Sequence, residues 1–224
     1  MAAAVLVGTS ESLVRVYRDQ IFQPEGYRMQ LILRSMTSDT VIPFLPMAAV
    51  LPFAGTFVED IKSKFARFFC IRSGWQGYLG SRLMVCFISG GLTVVAGVLT
   101  ALGVVCVLLR PFMKTGDYDG WMLSEPLLRY FLCGGFWAVV GMSLSTLMES
   151  KYIAYASPFV LYYLLVILYE RYLPDLFMLD PNQWISSEEF WPYGVLGMGV
   201  LVLELTGLFA VLFVIRAERR LRTL

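Results

Sequence analysis

Two places in this 224-residue chain put ionisable side chains where chemistry would need them. Glu204 stands deep in a long apolar run, and the interval 59–82 is the charged stretch set directly between two apolar runs. An ionised side chain at the centre of a membrane span costs about 3 kcal/mol. Glu204 is therefore expected to face the interior of a helix bundle, either as a structural hydrogen-bonding group or as part of a substrate path. In 59–82, EDIKSKFARFFCIRSGWQGYLGSR, the residues Ile61, Phe65, Phe68 and Phe69 recur at three- and four-residue spacing. That spacing predicts a short amphipathic helix with Lys62, Lys64 and Arg67 turned elsewhere. Glu59 and Asp60 fall in its first turn, where the positive end of the helix dipole favours acids, and Ser73-Gly74 after Arg72 supplies a stop. Such a helix either docks on another protein or anchors in the lipid headgroups, with Phe towards apolar chains and Lys and Arg towards anionic lipid.

Hydrolytic chemistry finds no foothold. The chain has no histidine, which rules out a His-dependent triad and a zinc-metalloprotease site. It has no Gly-Lys dipeptide with which a P-loop could cradle phosphates, and no Gly-x-Ser-x-Gly elbow. The acidic pair Glu188-Glu189 sits in an aromatic loop with no histidine partner. Formal charge is +1, so the sequence carries no nucleic-acid footprint. Cys70 lies in the charged interval and Cys86, Cys106 and Cys133 in apolar runs, so all four are expected as free thiols.

The elements that position these residues are membrane spans. With 58% hydrophobic and 16% charged residues the chain is too apolar for an ordinary soluble domain. The fold class expected is all-α, a polytopic transmembrane helix bundle forming one domain over 1–224. Complete spans are expected at 41–58, 83–109, 127–148, 153–169 and 194–215. Residues 1–8 read as the remnant of a truncated first span, which would make six, and 9–40 as amphipathic surface pieces. Pro43, Pro46 and Pro52 kink the 41–58 segment, which should face protein rather than lipid. Gly90-Gly91, Gly97 and Gly103 in one span, and Gly134-Gly135 and Gly141 in the next, offer close helix packing. The turn 149–152 is so short that the spans on either side must be antiparallel neighbours. The loop 170–193 carries Trp184, Trp191 and Tyr193, residues that favour the membrane–water boundary. If 59–82, the 149–152 turn and the C-terminal tail share one side, that side holds ten Lys and Arg against eight in much longer segments opposite. The first side is then cytoplasmic, with the C-terminus inside.

The acidic start, the basic amphipathic helix, Arg72-Ser73 and Tyr78-Leu79-Gly80-Ser81-Arg82-Leu83 leading into a Gly-rich span together resemble the first cytoplasmic loop of ABC-2-type transporter permeases. The proline-rich span before it and the segment SPFVLYYLLVILYE, 157–170, are similar to small permeases of this kind from Gram-positive bacteria. Ser63-Lys64-Phe65 departs from the pattern, since many members have glycine and threonine there. The resemblance implies that 59–82 is a coupling helix docking on a separate ATPase subunit. Glu59, Asp60, Lys62, Arg67 and Arg72 would lie in or beside that contact. It implies no catalysis on this chain, ATP and Mg held by the ATPase, and pairing with a second permease copy or paralogue in a bacterial plasma membrane. Peptides, drugs and lipids all suit such a pathway. The competing readings are an ATP-independent carrier or channel and a membrane scaffold or immunity protein that transports nothing.

Overall fold

The computed structural model describes residues 42–63, 65–109, 121–148, 150–186, 191 and 194–223. The stretches 1–8 and 9–40, read above as a span remnant and surface pieces, lie outside the described residues. Among the described residues every regular element is helical: α1 (Phe44–Val50), α2 (Thr56–Lys62), α3 (Phe65–Leu109), α4 (Trp121–Met148), α5 (Lys151–Arg171), a 3-10 turn (Phe177–Leu179), α6 (Gln183–Ser186) and α7 (Val195–Thr223). Four stretches are long and apolar enough to cross a bilayer: Gly74–Val104, Leu123–Met148, Lys151–Arg171 and Val195–Arg220. These make the chain a multi-pass membrane protein by length and composition.

α4 is the hub, packing against α3, α5, α7, α1 and α6. In its most apolar window 72% of the residues are buried, against 28% in α3, 17% in α5 and 22% in α7. The cause is a glycine seam. A Cβ at Gly90 of α3 would stand 2.9 Å from the Gly134 carbonyl of α4, and one at Gly141 would stand 2.7 Å from the Ala154 carbonyl of α5. Only hydrogen fits at either place, so α3, α4 and α5 meet nearly backbone to backbone, the packing that lipid-embedded helices rely on.

Within 41–58 the chain does not form one continuous span. α1 and α2 are seven residues each and are separated by 51–55. Pro52 cannot donate to the carbonyl four residues back and its ring crowds that carbonyl, which ends α1. The chain then turns, with Ala54 N–H on the Val50 carbonyl at 3.3 Å and Thr56 N–H on the Phe53 carbonyl at 3.2 Å. Leu45, Ala49, Val50, Ala54, Phe57 and Val58 are all buried. Broken backbone at membrane depth is tolerated where protein surrounds it.

α3 is broken as well. Gly74 has φ 74° and ψ 155°, so 65–73 and the long apolar part are two helices joined through one left-handed residue. The apolar helix thus starts at Gly74, nine residues before the span read at 83–109, because Tyr78 and Leu79 are already buried in the bundle.

Candidate functional site

The described residues Glu59, Asp60, Tyr78 and Arg82 of the charged interval are gathered at one end of the bundle. On α2, Phe57 and Val58 turn inwards while Asp60 reaches across to α3. The hydroxyl of Tyr78 donates to Asp60 Oδ2 at 2.9 Å, and the Arg82 guanidinium pairs with the same oxygen. Arg82 also sits over the Tyr78 ring, 5.4 Å from its centroid. These three residues form a clasp between elements separated in sequence by the break at Gly74. Both ionic side chains are only about one-fifth exposed. The pair is therefore weakly screened by solvent and saturated by more than one donor, the condition under which such pairs hold position.

A second tie meets α2 from the other side. Glu59 Oε1 accepts from Lys151 Nζ, on the first residue of α5, at 3.1 Å, and both side chains are exposed. Beneath the ties lies an apolar cluster of Phe57, Tyr78, Leu79, Cys86, Ala138, Met142, Phe213 and Ala217. Phe57 and Phe213 meet edge to face with centroids 4.7 Å apart. The cluster brings the C-terminal part of α7 to the same end as α2 and the starts of the α3 span and α5. The described parts of the three basic segments, with Lys62, Arg82, Lys151 and the C-terminal part of α7, thus lie at one end.

Of the residues singled out in the sequence for this end, Asp60 is committed to a contact within the chain and Glu59 forms the exposed tie. Lys62, in the last turn of α2, is exposed. The side chains of Arg67 and Arg72 lie outside the described residues. Tyr78 and Arg82, quoted above only as part of the entry to a Gly-rich span, and Lys151, not singled out at all, are the side chains that hold the two acids Asp60 and Glu59. Tyr78 and Arg82 stand one helical turn apart at the last charge before the apolar run, a signal that a polar partner had to reach them.

Glu204 is placed differently from the expectation. It lies on the outward face of α7, exposed among Val200, Leu203, Leu208 and Val211, while Met198, Val202 and Phe213 face the bundle. The reason is register. Once Met198, Val202, Leu205 and Phe209 pack on the central core, a residue two after Val202 must point away. Arg129, by contrast, is buried and pairs with Glu125 one turn earlier, Nη2 to Oε1 at 3.1 Å. Cys86 and Cys133 are buried free thiols, and the side chains of Cys70 and Cys106 lie outside the described residues. Among the described residues no three His, Cys, Asp or Glu side chains converge to hold a metal.

The opposite end is closed by the chain after α5, whose described tryptophans are packed into the protein. Trp184 and Trp191 are buried, and their indole N–H groups donate to the carbonyls of Met178 at 2.9 Å and Gln183 at 3.1 Å. Trp184 packs on Phe136 and Trp137 of α4, and Tyr162 of α5 donates to Asn182 Oδ1 at 2.6 Å. Asp180 Oδ1 accepts the Asn182 backbone N–H at 3.0 Å, and burial pushes its carboxyl above the ordinary aspartate range.

No protein-family model, curated protein or solved structure matches this chain.

Proposed function

We propose that this chain is the membrane-spanning subunit of an ATP-driven bacterial exporter of the ABC-2 type. Two copies, or this chain and a paralogue, would form the substrate pathway. ATP and Mg would be held by a separate ATPase, so no catalysis is assigned here. The observation that carries this reading is the basic end of the bundle. There a short helix, 65–73, is separated by the Gly74 break from a long apolar helix, and the adjoining α2 is tied to two further helices. A helix hinged in this way can receive a push from a docked subunit and pass it to α3, while the Asp60 clasp carries α2 along.

In this reading the basic end is cytoplasmic in the bacterial plasma membrane, with the C-terminus on the same side, because Lys and Arg concentrate there. Lys62, Arg67 and Arg72 are the docking contacts, Glu59 lies beside them, and Asp60 is a positioning residue. Substrate would be moved by alternating access, with ATP-driven motion reaching the spans from below.

Co-purification from native membranes tests the proposal. A stoichiometric ATPase should accompany the chain, and charge reversal at Lys62, Lys64 and Arg67 should release it while the chain keeps its normal abundance. A stable oligomer without an ATPase, active in proteoliposomes, would instead establish an ATP-independent carrier. The same oligomer without transport would establish a scaffold.

A further inference from the structure

We infer that the outward face of α7 around Glu204 is the contact between two copies of this chain, an inference that deepens the two-copy reading above by assigning its interface. The starting point is a mismatch between residue and surroundings. Glu204 lies near the centre of the Val195–Arg220 span, on a face otherwise made of Val200, Leu203, Leu208 and Val211, all exposed. Against lipid, that face would hold a carboxyl group in hydrocarbon with nothing to bond to, the arrangement membrane proteins avoid. A covering surface must therefore bring a polar group to the same depth.

A second copy meets that requirement through symmetry alone. A two-fold axis along the membrane normal places each residue of one α7 opposite its own counterpart at equal depth. Two carboxyl groups facing each other with a proton held between them form an O–H···O bond, so each Glu204 supplies the partner the other lacks. Gly207 is one turn further along on the same side, and a Cβ there would meet nothing within 4 Å of this chain. That opening lets a second helix approach closely beside the carboxyl pair, as small residues do in lipid-embedded helix pairs. The outer face of α5, with Val160, Tyr163, Leu164 and Ile167, is as exposed but carries no carboxyl or other charged group, so lipid can cover it.

Cysteine cross-linking in native membranes, in a C70S/C106S background, tests the assignment. L208C should give a disulfide-linked dimer and V160C on α5 should not. E204Q, whose amide also donates and accepts, should keep the cross-link, whereas G207L should cut its yield at least tenfold. G207L protein held at wild-type abundance shows that the loss is at the interface. Cross-linking through V160C with none through L208C overturns the inference while leaving a two-copy permease standing. Efficient L208C cross-linking in a chain that recruits no ATPase leaves the interface standing and removes the exporter reading. A chain that counts as a single copy in nanodiscs while exporting at the full rate overturns the inference outright.

Discussion

The two ends of the bundle are built from different materials. At the basic end α2 is held by two ion pairs and by helices interrupted at 51–55 and at Gly74. At the other end Trp184, Trp191, Tyr162 and Asn182 interlock by ring packing and neutral hydrogen bonds over α4. Ring packing is close-range and tolerates little displacement, because a gap of a fraction of an ångström forfeits much of the contact energy. Ion pairs fall off gradually with distance and can re-form with water or another charge. The contrast assigns rigidity to the aromatic end and adjustability to the charged end, which is where the proposed ATPase would push.

Substitutions that weaken each end separately sharpen this contrast. Trp184→Ala should have the largest effect, a loss of about 3–5 kcal/mol, since it empties a site between α4 and the cap. Scanning fluorimetry in detergent should show a clear fall in the unfolding midpoint. Asp60→Ala should cost less, about 1.5–3 kcal/mol, through the charge-assisted bonds to Arg82 and Tyr78. A double-mutant cycle with Arg82→Ala should return a coupling of about 1 kcal/mol or more. A coupling near zero would mean that the clasp does not hold α2. Lys151→Ala should have a smaller effect again, one that disappears in high salt, as expected of an exposed pair.

The smallest effect belongs to Asp180, where the bonds from Asn182 and Gln183 offset part of the burial. Its carboxyl is raised above the ordinary value of 3.8, so the folded state takes up the proton more readily than the unfolded one. The cap is therefore most stable below that ordinary value and loses stability as pH climbs through the raised one. Asp180→Asn should flatten this limb of the pH–stability curve, and an unchanged limb would assign it to another group.

Local chemistry made some of this legible in the sequence and tertiary context decided the rest. Four long apolar helices follow from composition and run length, and Ser73-Gly74 announces a break because glycine reaches positive φ without a Cβ penalty. Three prolines in 41–58 foretell a disturbed helix, but that it divides into α1 and α2 depends on the surrounding helices receiving the interrupted backbone. The orientation of Glu204 was hidden because α7 is apolar on all sides, so period 3.6 offered no contrast between its faces. The packing of Trp184 and Trp191 was hidden for a different reason. Tryptophan suits both a headgroup boundary and a buried site with a carbonyl for its N–H, and only the carbonyls of Met178 and Gln183 distinguish the two.

The brevity of the link between α4 and α5 bears on how the protein is made. Met148 ends one helix and Lys151 begins the next, leaving two residues to reverse direction. A link this short gives the two helices no freedom to part, which favours their entering the bilayer together as one hairpin during synthesis.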